Sequence, residues 1–224
     1  MILAAGVGER MRPLTDHTPK PLLRVADIPL IEHHIRRLAA AGFREIIINV
    51  AHLGKQIMDY CADGRDWGVS ICYSSEESPL ETAGGIYKAL PLLGGAPFLV
   101  VNGDIWTDYP FEKLAAYSLR SGEVAHLVLV GNPPQHSLGD FQLDNQGWVR
   151  PLASGGHGYT YAGLGIYTTD FFGTALEGKM PLRPLLDGAI RRGTLGGQWY
   201  VGQWQDVGTP ERLQELNTRV KTIT

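Results

Sequence analysis

Cysteine is scarce in this chain, with Cys61 and Cys72 the only two in 224 residues. They form no CxxC, and no histidine stands at metal-ligand spacing from either. A disulfide framework or thiolate metal site is therefore excluded, and reduced packing thiols are expected. An excess of one charge is lacking too: Lys and Arg number 20 against 23 Asp and Glu, a formal charge of -3. That balance argues against a nucleic-acid surface or a polybasic membrane surface. No apolar run approaches the roughly 20 residues that a membrane span requires. Met1 opens directly onto an apolar segment instead of a secretory leader, so a cytoplasmic protein is expected. With no linker, internal repeat or low-complexity tract, residues 1–224 are expected to form one domain. The His33-His34 pair is not read as a metal site, because adjacent positions on a helix do not share a face.

Hydrophobic periodicity divides the chain into two textures. In the first half strands and helices alternate: a strand at Ile2 to Ala5, a helix at Pro29 to Ala41 with Gly42 as its cap, and a strand at Glu45 to Val50. A helix at Leu53 to Asp63, a strand at Val69 to Ser74, a helix at Thr82 to Leu93 and a strand at Pro97 to Asn102 follow. The run EIIINV at Glu45 to Val50 is nearly all apolar and β-branched, the mark of a strand covered on both faces. Alternation of this kind predicts βαβ units and a mostly parallel sheet between helical layers. In the second half, strands are expected at Glu123 to Gly131, Tyr159 to Thr168 and Gly197 to Val201, with helices at Pro181 to Gly193 and Thr209 to Ile223. Asp140 to Val149 alternates apolar and polar residues around a turn, which reads as an antiparallel hairpin. The hairpin and the strand after it are expected to form a small flap packed on the first half.

The most informative stretch is Met1 to Leu23. The first strand runs into Gly6-Val7-Gly8-Glu9-Arg10-Met11-Arg12-Pro13, and Lys20 follows between Pro19 and Pro21. Glycines at 6 and 8 let backbone N–H groups approach anionic oxygens, and Arg10, Arg12 and Lys20 add positive charge, so a phosphate site is expected. The two prolines stiffen the backbone that presents Lys20. A Walker loop is excluded because Glu9-Arg10, not Lys-Ser/Thr, follows Gly8. A dinucleotide fingerprint is excluded by Met11 at its third small position and by Asn49-Val50-Ala51 where an acid is needed.

LAAG-x-G-x-R-M-R-P-L-T followed by P-K-P-L resembles the opening of the sugar-1-phosphate nucleotidylyltransferases, which join a nucleoside triphosphate to a sugar 1-phosphate and release pyrophosphate. The resemblance covers essentially the whole chain. It implies a Rossmann-like three-layer α/β nucleotidyltransferase fold, with residues 1–122 as a nucleotide-binding half and 123–224 as a sugar-binding half carrying the antiparallel flap. Val101-Asn102-Gly103-Asp104 and Trp204-Gln205-Asp206-Val207-Gly208-Thr209 resemble the segments that hold the family's two metal-binding aspartates. Asp104 stands at the carboxyl end of a buried strand, where open α/β sheets bind ligands.

The implied roles are Asp104 and Asp206 for Mg²⁺, Lys20 for the α-phosphoryl and sugar-phosphate oxygens, and Arg10 for the β and γ phosphates. Mg²⁺ suits such a pair because it takes oxygen ligands while bridging substrate phosphates. Metal, lysine and arginine together offset the charge that develops in phosphoryl transfer. No general base is needed, because a phosphate monoester is already anionic. The resemblance further assigns Leu3, Ala5, Gly6, Gly8 and Glu9 to the nucleotide, Thr82 and Gly84 to base and ribose, and Asn102 to the ribose. Glu76 and Glu77 are read as solvated loop acids.

The Glu-Lys-Pro segment of the hexose branches is missing, since the equivalent region reads Val149-Arg150-Pro151. One closing helix is the last element expected, and no hexapeptide-repeat domain such as acetylating members carry is expected. With VNGD-x-W-T-D-Y and H-x-x-G-D-F, the chain looks most like the N-acetylmuramate α-1-phosphate uridylyltransferases of cell-wall recycling. That likeness implies UTP as the triphosphate, with Gly139, Asp140 and Gly163 as sugar contacts and a monomer or weak homo-oligomer. A mannose- or glucose-1-phosphate nucleotidylyltransferase is the alternative. A glycosyltransferase would show Asp-x-Asp where Asp104 is followed by Ile105-Trp106, and a non-catalytic sensor would have lost some of Arg10, Lys20, Asp104 or Asp206.

Overall fold

The computed structural model describes residues 1–221, so the expected end of the closing helix at Ile223 lies outside the described residues. Strands β1 (Ile2–Leu3), β2 (Arg24–Val25) and β3 (Ile28–Pro29) precede helix α1 (Leu30–Ala40). Then come β4 (Glu45–Val50), α2 (Gly54–Cys61), β5 (Ser70–Ser75), α3 (Glu81–Leu93), β6 (Phe98–Asn102), β7 (Ile105–Thr107) and α4 (Glu112–Ala115). The remainder supplies β8 (Ala125–Val130), β9 (Phe141–Leu143), β10 (Val149–Pro151), β11 (Thr160–Tyr167), α5 (Arg183–Arg192), β12 (Leu195–Tyr200), β13 (Trp204–Asp206) and α6 (Pro210–Lys221).

Seven strands make one sheet in the order β12-β8-β11-β6-β1-β4-β5. β1 pairs in parallel with β4 and β6, β4 with β5, and β8 with β12, while β11 runs antiparallel to both β6 and β8. The expected mostly parallel α/β sheet is therefore present, and it runs without a break from the first half of the chain into the second.

The layers follow from the two-residue period of the strands. Ile46, Ile48 and Val50 turn to one face with Leu99, Val101, Val128 and Val130, where Ile31, Ile35 and Leu38 of α1 and Ile57 of α2 cover them. Ile47, Val100, Leu127 and Leu129 turn to the other face and meet Ala83, Ile86 and Ala89 of α3 and Leu185, Leu186 and Ile190 of α5. Each fully buried aliphatic side chain contributes about 1.5–3 kcal/mol, so central positions such as Ile35 dominate the helix-to-sheet packing.

The flap differs from expectation. Of the strands expected in it, β9 and β10 form a two-stranded ribbon apart from the main sheet, whereas the strand after them, β11, is inserted between β6 and β8 in the main sheet. Its burial explains this, because seven of the eight residues from Thr160 to Tyr167 are buried and a flap strand would keep one face wet. β1 stops at Leu3 because the Ala4 N–H leaves the ladder for Asn49 Oδ1 at 2.9 Å. The cysteines divide: Cys61 packs in the core, but Cys72 is exposed on the edge strand β5 and is not a packing thiol. His33 and His34 hydrogen-bond two different carbonyls, those of Val25 and Ile105. Among the described residues no helix is long and apolar enough to cross a membrane.

Candidate active site

After β1 the chain leaves the sheet at its carboxyl edge and builds the glycine loop. Gly8 is left-handed (φ 69°), and a Cβ there would stand 2.9 Å from Thr15 Cγ2, so both conformation and space call for glycine. Its carbonyl accepts the Met11 N–H at 2.8 Å and the Thr15 hydroxyl at 2.9 Å, closing a tight turn over Glu9–Met11. Gly6 has open space around it. Lys20 follows on a short helical turn and is 8% exposed, yet its Nζ reaches Asp104 Oδ2 at 2.7 Å. Among the described residues Arg10 has no ion-pair partner, and its side chain is exposed at the cavity rim.

The two aspartates are brought together by a ladder that the sequence did not suggest. β7 and β13 pair antiparallel with Asp206 opposite Ile105, and the Val207 N–H donates to the Asp104 carbonyl at 2.8 Å. His34 braces β7 from below through the Ile105 carbonyl, and burial pushes its imidazole down to about 4, so it is held neutral. Asp206 Oδ1 accepts the Gln135 amide at 2.7 Å, and its Oδ2 is paired with Arg212.

On the far side of the loop a buried polar chain replaces the expected solvated acid. Glu76 is 6% exposed; its Oε1 accepts from Asn49 Nδ2 at 2.7 Å and its Oε2 from the Leu80 N–H at 2.9 Å. Because Asn49 Oδ1 also holds the Ala4 N–H, one hydrogen-bonded chain ties the glycine loop to the segment that opens α3. Glu77 remains exposed. Glu81, the first residue of α3, has φ 59°, a left-handed conformation rare for a non-glycine and often found at ligand clamps.

These segments enclose a cavity of about 580 Å³, within the range of small-molecule sites. A family profile described as nucleotidyl transferase matches residues 1–222. The chain belongs to the nucleotidyl transferase family. It is 54% identical over 219 residues to the N-acetylmuramate alpha-1-phosphate uridylyltransferase of Neisseria meningitidis serogroup B, covering 96% of this chain and 95% of that one. It is 32% identical to the mannose-1-phosphate guanyltransferase of Gibberella zeae, covering 94% of this chain but 61% of that one. Among solved structures, a putative glucose-1-phosphate thymidylyltransferase from Bacillus anthracis in complex with a sucrose superposes with a TM-score of 0.88. That match covers 100% of this chain and 95% of the other at 22% identity, a likeness of fold.

Within this nucleotidyl transferase the cavity gathers most residues expected from the sequence. Leu3, Ala5, Gly6, Gly8, Glu9, Arg10, Lys20, Thr82, Asn102 and Asp104 all line it. Asp206 stands behind Gly208, which does line it. Gly84 does not: its N–H bonds the Met180 carbonyl at 3.1 Å, and a Cβ there would strike the Gly178 carbonyl, so it is a packing glycine near the start of α3. Gly139 and Asp140 also lie off the cavity. Gly139 makes a left-handed turn, and Asp140 accepts the Tyr161 N–H at 2.9 Å and faces His136 at 3.0 Å. Gly163 lies against the Asn102 side chain, whose Oδ1 is buried without a hydrogen-bond partner among the described residues. Asn49, Glu76, Gln135 and Arg212 were not singled out as site residues, because their contacts span 27 and 71 residues or lie outside any motif.

Proposed function

We propose that this nucleotidyl transferase moves the uridylyl group of UTP onto N-acetylmuramate α-1-phosphate, giving UDP-N-acetylmuramate and pyrophosphate, in cytoplasmic recycling of cell-wall sugars. The observation that carries the sugar and the base is the 54% identity, over nearly the full length of both chains, to the Neisseria uridylyltransferase. Lys20, Arg10 and Asp104 lining one cavity, with Asp206 next to its Gly208 wall, support the chemistry.

In this reading the sugar-phosphate oxygen attacks the α-phosphorus directly. Lys20 neutralises the α-phosphoryl and incoming phosphate oxygens, and Arg10 takes the β and γ phosphates and the leaving pyrophosphate. The glycine loop presents backbone N–H groups at 5–9, while Thr82 and Asn102 face base and ribose.

Asp104 and Asp206 would hold Mg²⁺. The fit rests on their chemistry: two hard carboxylates, each already facing a cation, match an ion that completes its shell with phosphates and water. Among the described residues no group of three or more acidic, histidine or cysteine side chains forms a self-sufficient metal site. That accords with an ion delivered together with the triphosphate. When bound, Mg²⁺ would offset charge on the phosphates and orient the leaving group.

The test is a panel of UTP, dTTP and GTP against N-acetylmuramate, glucose and mannose 1-phosphates, scored by pyrophosphate release. UTP with N-acetylmuramate 1-phosphate is expected to exceed UTP with glucose 1-phosphate by about 100-fold in kcat/KM. Equal or better use of a hexose 1-phosphate would overturn the substrate and leave nucleotidyl transfer standing.

A further inference from the structure

Arg212 lies outside every motif of the sequence and beyond the residues that line the cavity, yet it holds the Asp206 carboxylate. It stands in the first turn of α6, held by its own N–H to Thr209 Oγ1 at 3.4 Å, and its Nη1 donates to Asp206 Oδ2. Gln135 donates to the other carboxylate oxygen, so each oxygen of Asp206 already accepts one hydrogen bond. The Arg212 and Asp206 side chains are 18% and 27% exposed, so water screens the pair only in part.

Arg212 and Arg10 also converge on one point. A Cβ built on Gly208 would lie 2.8 Å from Arg212 Nη1, 2.9 Å from Asp206 Oδ2 and 3.5 Å from Arg10 Nη2. Gly208 itself lines the cavity, so two guanidinium groups approach the same stretch of its wall. Like charges at such range repel unless an anion lies between them. With the site empty the anion at hand is the Asp206 carboxylate, which pairs with Arg212 alone and leaves Arg10 without an ion-pair partner among the described residues. With a triphosphate bound, its terminal oxygens are of the same kind and more highly charged.

We propose that Arg212 is a phosphate-binding residue that exchanges partners. It neutralises Asp206 in the empty site, and it passes to the β and γ phosphates beside Arg10 when Asp206 turns to the incoming divalent cation. No bond is made or broken; one ion pair is replaced by two. The exchange couples the two ligands, since cation that draws off Asp206 releases a guanidinium for phosphate, and phosphate that draws off Arg212 releases a carboxylate for cation. It rests on the assignment of Asp206 to the metal and of the cavity to a triphosphate.

The experiment uses the full chain with Arg212→Gln and Arg212→Lys. Mn²⁺ binding to nucleotide-free protein is followed by electron paramagnetic resonance, and UTP binding by calorimetry with and without Mg²⁺. Arg212→Gln should bind Mn²⁺ about fivefold more tightly, because Asp206 loses its competitor, and UTP in Mg²⁺ about tenfold more weakly. Arg212→Lys should recover part of both shifts. A misfolded variant weakens both ligands, so opposite directions are the signature of the exchange. Unchanged UTP binding would overturn the proposal, and so would loss of both affinities by a similar factor, which would make Arg212 a brace for Asp206. Neither readout needs turnover, so wild-type protein inactive on every triphosphate would overturn the transfer reading separately.

Discussion

Lys20 and Asp104 are 84 residues apart in the chain and meet at 2.7 Å, the lysine almost fully buried and the aspartate half open to the cavity. The pair places a positive charge where the α-phosphoryl oxygens are expected and keeps it fixed before substrate arrives. A charge fixed in advance costs no reorganisation when the transition state forms, which is where such a group has most effect.

Lys20→Ala should therefore lower kcat by about 10²–10³ while the folded state persists. Its partner is half exposed, so water can solvate the orphaned carboxylate. Steady-state kinetics with circular dichroism and thermal melting checks this. Near-normal turnover would remove Lys20 from the mechanism.

Asp104 and Asp206 are joined through backbone pairing of β7 with β13 and serve one proposed ion. Either Asp→Asn change should raise the Mg²⁺ concentration required for half-maximal activity, and the double change should cost less than the two singles combined, because the second removal acts on a site already lost. Strict additivity, with unchanged metal dependence, would assign them separate roles.

Much of this was legible because it is local. EIIINV announces a strand buried on both faces, and the apolar residues of the helix at 30–40 recur at helical spacing. The glycine loop, Lys20 and Asp104 were legible as motifs, since residue type and spacing carry the chemistry. What stayed hidden crosses the chain. Glu76 looked like a loop acid because its partner Asn49 lies 27 residues away, outside a local window, and β11 looked like flap because glycine and aromatics resemble hairpin texture. Gly84 was expected at base and ribose, but a glycine marks close approach and not of what, and here the approaching group is the Gly178 carbonyl.

Away from the site, Glu123 predicts an acid limit on stability. Burial alone would raise its carboxyl, but hydrogen bonds from His126 and Arg120 outweigh that and hold it down at about 2, against an ordinary 4.5. A carboxyl depressed on folding contributes stability that is fully present above about pH 4.5 and is lost as pH falls toward 2. The shift corresponds to about 3 kcal/mol as an upper figure. Urea unfolding between pH 6 and 2 should show the wild type losing stability more steeply than Glu123→Gln, which should start lower and stay flatter. Parallel curves would show that the Glu123 network does not govern acid sensitivity.

Gly163 and Asn102 give the last prediction. Gly163 has φ 73°, and the three atoms nearest to a Cβ built there all belong to Asn102, the closest at 2.8 Å. Gly163→Ala thus carries two penalties: backbone strain of about 1–2 kcal/mol, and a collision that drives the Asn102 side chain out of its place at the cavity wall. Only the second is eased by shortening Asn102, which removes the Cγ and Nδ2 contacts at 2.8 Å and leaves Asn102 Cβ at 2.9 Å. The double variant Gly163→Ala with Asn102→Ala should then be more stable than Gly163→Ala alone, keeping the backbone part of the loss and the remaining contact with the Cβ of residue 102. Activity should not follow, because Asn102 Oδ1, buried and unpaired, is proposed to accept a ribose hydroxyl that alanine cannot replace. Denaturant melts and the KM for UTP, measured on both singles and the double, separate the effects. Recovery of stability with UTP binding still impaired is the expected result, and a double variant no more stable than Gly163→Ala would show that the Asn102 contact is not what glycine is there to permit.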